Sequence, residues 1–441
     1  MTDIGIKVCK FGGSSLATSA DFKVVADIIK SDDERRYIVV SAPGKSDNNE
    51  EKVTDLLIKC YDLASKKQDY RVVLDEIKAR FKEIIDGLEI NFDLDTEFEL
   101  IDEKCSDGPG KDYLVSRGEY LNARILASYL ACSFVDSEGR LMFLKKDVLD
   151  DELTDSILFE DLSELKRAVI PGFYGTGPDG NVMTFSRGGS DITGAIVSRA
   201  VHADMYENWT DVSGMLMVDP KCVENPKTIS MISYSELREL TYMGATVLHE
   251  DAVFPARQAK LPINIRNTRF PDDQGTVILP KVPAGVPKHI ITGIAGKKGF
   301  ASITIEKNRM NAELGFGRKV LSVLEEINLS FEHIPTGIDT MSVFVNKSAI
   351  VGKEDYIKER IQKEVDPDEI VIYENIALIA VVGRGMVNRP GVAGRIFTAL
   401  ANERITVKMI DQGSSCINII IGVEEENYEK AVRAIYNEFV K

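Results

Sequence analysis

The chain has 441 residues, with 54 Lys and Arg against 70 Asp and Glu, giving a formal net charge of −16. At roughly 150 residues per domain this makes two or three domains, each able to bury a core. The acidic balance opposes a nucleic-acid partner, and no apolar run reaches the roughly 18 residues of a membrane helix. Met1-Thr-Asp-Ile-Gly carries neither a basic nor an apolar leader pattern. The six cysteines and four histidines are scattered without metal-ligand spacing, so a reduced, cytoplasmic protein without a zinc site is expected.

Ile4-Gly-Ile-Lys-Val-Cys-Lys-Phe reads as a strand and Ala20–Ile29 as a helix, with Phe22, Val25, Ile28 and Ile29 on one face. Tyr37-Ile-Val-Val-Ser reads as the next strand, ended by Ala42-Pro-Gly. Apolar strands alternating with amphipathic helices predict a largely parallel sheet covered on both faces. In such folds ligands collect at the carboxyl ends of the strands. Five strand-to-loop or helix segments therefore carry the chemistry.

Lys10-Phe-Gly-Gly-Ser-Ser comes first. Its glycines let the backbone approach a ligand, amides leading into a helix favour an anion, and Lys10 adds a charge. The lysine precedes the glycines, so this is no Walker A loop; a plain turn with a Ser cap is the alternative. Ser41-Ala-Pro-Gly-Lys45, with Thr54 beyond it, suits either a site or a turn and cap. The charged, helical stretch from Lys45 to Cys105 reads as a solvated layer. Ser116-Arg-Gly-Glu119 matches a capping box, although Glu119 could instead receive an ammonium group.

Gly175-Thr-Gly-Pro-Asp-Gly180 satisfies GxGxxG, but no helix follows and Pro178-Asp-Gly signals a turn. It predicts a hairpin and removes a dinucleotide-binding reading. Arg187-Gly-Gly-Ser190-Asp191 then repeats the basic-Gly-Gly-Ser chemistry at a helix start. There Arg187 can clamp a carboxylate, and Asp191 can orient a lysine, hold a cation or simply face the helix dipole. Two anionic groups, one at each glycine junction, would suit phosphoryl transfer between acids. Asn208-Trp-Thr-Asp211, leading to Asp219-Pro-Lys221, offers a hydroxyl, a carboxylate and a lysine to a nucleotide.

Pro280, Pro283, Gly285 and Pro287 mark a linker. Beyond it a constant offset of 76 aligns Met310 with Met386, Gly315 with Gly391, Leu324 with Leu400 and Gly337 with Gly413. Each copy reads strand, glycine-ended loop, helix, strand, glycine turn, strand, which predicts two ferredoxin-like βαββαβ modules. The expected domains are 1–285, 286–370 and 371–441, with the last two able to interleave.

These segments, in this order, resemble the amino-acid kinase family, and within it the monofunctional aspartokinases with tandem ACT domains. The resemblance implies a three-layer α/β/α, carbamate-kinase-like domain, ATP and Mg²⁺ as cofactors and L-aspartate as acceptor. It implies Lys10 on the transferring phosphoryl with Asp191 orienting it, Arg187 on the aspartate α-carboxylate and Glu119 on its ammonium. It further implies Ser41, Thr54 and Phe173 lining the aspartate pocket, and Gly12, Gly13, Ser14 and Ser190 cradling phosphate. Thr210, Asp211 and Lys221 would meet ATP. A lysine or threonine effector is implied near Met310, Gly315, Ser330, Phe331 and Glu332, with Asn388–Val392 equivalent in the second copy. Assembly as a homodimer or homotetramer through the ACT domains is also implied. Two positions depart from the family pattern on the nucleotide side, Leu216 for a tyrosine and Thr246 for a lysine. The competing expectations are a kinase for glutamate, N-acetylglutamate or a nucleotide, and a sensor whose kinase fold only binds.

Overall fold

The computed structural model describes residues 5–46, 50–108, 110–245, 250–283, 289–387 and 389–440. Thr246, Asn388 and the expected 285/286 boundary lie outside them. The chain forms two compact units, one of Met1–Met215, Ser230–Tyr234 and Val247–Val282, the other of Leu216–Ile229, Ser235–Thr246 and Pro283–Lys441. No helix among the described residues is long and apolar enough to cross a membrane.

The first unit is built on an eight-stranded sheet. Its order is Met231–Ser233, Thr276–Leu279, Ile263–Asn267, Met205–Thr210, Lys7–Phe11, Arg35–Val40, Ala168–Pro171 and Ser133–Phe134. Neighbours are parallel except Ile263–Asn267 against Thr276–Leu279. Alternation sorts the central strands' side chains onto two faces. Cys9, Phe11, Ile38, Val40, Val169 and Trp209 join a core with helices Ser19–Lys30, Val53–Ser65, Arg71–Leu88, Leu94–Ser106 and Lys111–Leu130. On the opposite face, helix Gly189–Ala200 packs across strands Lys7–Phe11, Arg35–Val40 and Met205–Thr210. The expected three-layer α/β/α arrangement is therefore present. Tyr174–Thr176 pairs antiparallel with Val182–Thr184, so the GxGxxG match is indeed a hairpin.

Two local expectations are corrected. The Lys10 glycine motif does not run into a long helix: Gly13–Ser15 is one 3-10 turn, and the helix starts at Ser19 behind a capping box of Thr18 and Asp21. Nor is Ser116-Arg-Gly-Glu119 a capping box. The helix already begins at Lys111, and the Ser116 hydroxyl donates to the Tyr113 carbonyl at 2.7 Å within it.

The second unit carries a six-stranded antiparallel sheet, ordered Phe331–His333, Thr340–Asn346, Gly293–Glu306, Glu369–Val382, Asn418–Glu424 and Met409–Asp411. The two long central strands serve both repeats. Residues Phe300–Glu306 lie beside Thr340–Asn346, whereas Gly293–Lys297 pair with Leu378–Val382 beside Asn418–Glu424. The second repeat thus closes with Gly293–Lys297, a strand lent from the chain ahead of the first repeat, whereas the first closes with Glu369–Tyr373 after its own helix Glu354–Val365. Gly315 and Gly391 cap helices Phe316–Glu326 and Val392–Asn402 with φ of 79° and 85°, a conformation that favours glycine. The offset of 76 is the distance between these two equivalent caps.

Candidate active site

Parallel strands end on the same side, so the loops after Thr210, Phe11, Val40 and Pro171 stand next to one another. Backbone bonds continue the ladder past the strand ends. The Gly12 amide donates to the Trp209 carbonyl at 3.2 Å, Ser41 to Phe11 at 3.1 Å, and Gly172 to Val40 at 2.9 Å. The Lys10 glycine loop and the Ser41 loop touch: Gly44 donates to the Gly13 carbonyl at 2.8 Å. A Cβ on Gly13 would stand 2.7 Å from the Ala42 carbonyl oxygen, and one on Gly44 2.6 Å from the Gly13 carbonyl carbon. Neither loop tolerates a side chain there.

Lys10 is only 8% exposed, and its Nζ lies 2.6 Å from Asp191 Oδ1. Asp191 sits in the first turn of helix Gly189–Ala200, whose N-cap is Gly188 at φ 60°. Ser190 is therefore a buried residue inside the helix rather than its cap. Gly172 packs directly on Ser190, and Gly189 on the Phe173 ring. Phe173 itself holds a left-handed backbone, φ 80°. Its amide donates to Thr193 Oγ1 at 3.2 Å and its carbonyl accepts from Phe185 at 2.9 Å, which fixes that strained residue at the site.

Glu119 projects from helix Lys111–Leu130 and is 5% exposed. Burial pushes its carboxyl up to about 8, against weaker opposing effects from the Ala42 amide and Arg117. Its Oε2 has no hydrogen-bond partner among the described residues. A buried acceptor left open in this way suits a cationic ligand group. Thr54 is half-buried in the first turn of helix Val53–Ser65, which Lys52 caps, so it is not a cap itself. Arg187 is exposed, with no ion pair among the described residues. It borders a 480 Å³ cleft shared with Phe185, Ile192 and Phe254.

Thr210 ends the Met205–Thr210 strand and Asp211 follows it, bonded hydroxyl to carboxylate at 3.2 Å. Ser14 is exposed on the 3-10 turn. Lys221 and Leu216 belong to the second unit, where Leu216 is partly exposed and the Lys221 amide donates to Asp219 Oδ1 at 2.8 Å.

Three supports escaped the sequence reading. Asn208 donates to Asp191 Oδ1 at 2.9 Å. Arg80 reaches from helix Arg71–Leu88 to the Gly44 and Glu51 carbonyls, tying together two ends of the loop that starts at Ser41. Glu207, on the opposite face of its strand, pairs with Arg35 at 2.8 Å and accepts from Trp209 Nε1 at 2.9 Å, a buried pair beneath the site. Asn208 and Trp209 stood in a motif already singled out. The partner of Asn208, Asp191, lies 17 residues away on another element, and only register could have named that contact.

In the second unit, Met310 is buried and Ser330 and Phe331 are exposed, while Glu332 accepts from the Tyr242 hydroxyl. None of these, nor Gly315, lines the 670 Å³ cavity on the six-stranded sheet, whose walls include Ser302, Thr304, Ser342, Lys408 and Glu424.

Comparison with known proteins agrees with this geometry. The model of the amino acid kinase family matches residues 5–267, and an ACT domain model matches residues 379–439. Aspartokinase 3 of Bacillus subtilis is 37% identical over 450 residues, covering 98% of each chain. The crystal structure of Clostridium acetobutylicum aspartate kinase is 49% identical, with a TM-score of 0.89 over 99% of this chain and 100% of that one. Escherichia coli aspartokinase III, solved in complex with aspartate and ADP, shares the fold at 24% identity and a TM-score of 0.71. The chain belongs to the amino acid kinase family and, within it, to the aspartokinases.

Proposed function

We propose that the protein transfers the γ-phosphoryl group of ATP to the β-carboxylate of L-aspartate. A carboxylate oxygen attacks the γ-phosphorus, the bond to the β-phosphate oxygen breaks, and ADP and 4-phospho-L-aspartate leave. This is the entry step to lysine, threonine and methionine. The nucleophile has a reference pKa near 4 and is ionised at neutral pH, so no general base is needed. Catalysis then consists of positioning two anions and neutralising the charge between them.

What carries this reading is the buried Lys10 ammonium, 2.6 Å from Asp191, in the same unit as the buried, open-sided Glu119. Lys10 meets the transferring phosphoryl, and Asp191 orients it. Glu119 takes the aspartate ammonium, Arg187 its α-carboxylate, and Ser41, Thr54 and Phe173 line the pocket. Gly12, Gly13, Ser14 and Ser190 cradle phosphate; Thr210, Asp211 and Lys221 serve ATP. Among the described residues no group of three or more His, Cys, Asp or Glu is placed to hold a metal. Mg²⁺ would arrive on the nucleotide phosphates as part of the substrate. The tandem repeats would bind an amino-acid effector, lysine or threonine, at Met310, Gly315, Ser330, Phe331 and Glu332, and join subunits into a dimer or tetramer.

Incubation with MgATP, hydroxylamine and either aspartate or glutamate tests the acceptor. Aspartyl hydroxamate is expected; hydroxamate from glutamate alone would overturn the assignment.

A further inference from the structure

Lys10 and Asn208 are direct register partners in the parallel pair of strands Lys7–Phe11 and Met205–Thr210. Their side chains therefore rise from the same face of the sheet. Two residues earlier, Val8 and Tyr206 are likewise partners, and Tyr206 meets helix Gly189–Ala200 at Gly194. A Cβ on Gly194 would stand 2.7 Å from the Tyr206 ring, so the missing side chain lets the helix lie close to the strand. That closeness brings Asp191, one turn earlier, down onto Lys10 and Asn208.

Asp191 Oδ1 accepts from two donors, Lys10 Nζ at 2.6 Å and Asn208 Nδ2 at 2.9 Å. The Asn208 amide nitrogen also reaches the Tyr206 hydroxyl at 3.2 Å, and that hydroxyl donates to the Asp191 carbonyl at 3.1 Å. Both amide hydrogens of Asn208 are thus engaged. The turned-over amide would set its oxygen against the Asp191 carboxylate, so the orientation is fixed. Asn208 is 3% exposed, and burial keeps the Tyr206 phenol neutral, so neither partner is displaced by water or ionisation. The effect on Lys10 is directional. With one lone-pair site of Oδ1 taken by the amide, the ammonium is confined to the other, and its remaining N–H groups point a defined way.

We infer that Asn208 is a positioning residue for phosphoryl transfer: by occupying Asp191 Oδ1 together with Lys10, it sets the direction in which the Lys10 ammonium points. The inference rests on the assignment of Lys10 to the transferring phosphoryl. The groups facing the Asn208 amide are Lys10 from the neighbouring strand, Asp191 from the helix and Tyr206 from its own strand.

Two variants test it, with Lys10→Ala as the reference. Asn208→Leu keeps size but removes both donors; kcat is expected to fall about ten- to a hundredfold with aspartate KM within about twofold, because only transition-state alignment is lost. Asn208→Asp is isosteric and places a second carboxylate beside Asp191. Two such neighbours share a proton at lower pH, and the shared O–H replaces the amide donor. Its kcat should therefore fall as pH rises through an ionisation absent from the wild-type profile. Wild-type kcat in Asn208→Leu would overturn the inference. If that variant does not fold, an Asn208→Asp profile parallel to wild type would overturn it. An active Lys10→Ala enzyme would instead remove the underlying assignment of Lys10.

Discussion

Burial pushes the Glu119 carboxyl up to about 8, which ties its proposed role to pH. Below that value the free protein keeps the carboxyl protonated, whereas an ammonium ligand needs the carboxylate. Aspartate binding should then release a proton, and aspartate KM should fall as pH rises from about 6 to 8, by at most about tenfold per unit. Glu119→Gln should raise KM and abolish the slope. Initial rates across that range decide it; a wild-type KM that stays flat would show that Glu119 does not meet the ammonium. The sign for folding is the reverse. The raised value means that this group's contribution to stability is complete below about 4.5 and is lost as pH climbs through about 8.

At the scale of elements, the alternating strands and helices were legible because apolar runs and 3.6-residue spacing agree along the first unit. Ends and caps were less legible. Ser116-Arg-Gly-Glu119 has the letters of a capping box, yet helix Lys111–Leu130 starts five residues earlier, behind Gly110. The Lys10 loop has the letters of a helix start, but the stronger Thr18–Asp21 box lies just beyond it. The repeat was readable because Gly315 and Gly391 must take left-handed conformations at equivalent places. The strand lent to the second repeat was open in the sequence, since it depends on how Gly293–Lys297 pair across the sheet. Asn208 was missed for the same reason: its partners are set by register and by the helix that Gly194 lets approach.

Across the whole molecule, a chain of net charge −16 is proposed to bring together two anions. Its positive charge must be local, and the buried Lys10 supplies part of it. The proposed regulation belongs to this scale as well, because an effector bound in the second unit would act only through different affinities for active and inactive states. Titrating lysine, threonine and both together against the initial rate should lower it for at least one of them; no response to any would leave the repeats as an assembly module. The charge contrast itself comes down to one side chain, and the kcat of Lys10→Ala tests it most directly. A loss of at least about a hundredfold, with aspartate KM little changed, is predicted for a group that neutralises charge in the transition state. An unchanged kcat would contradict it.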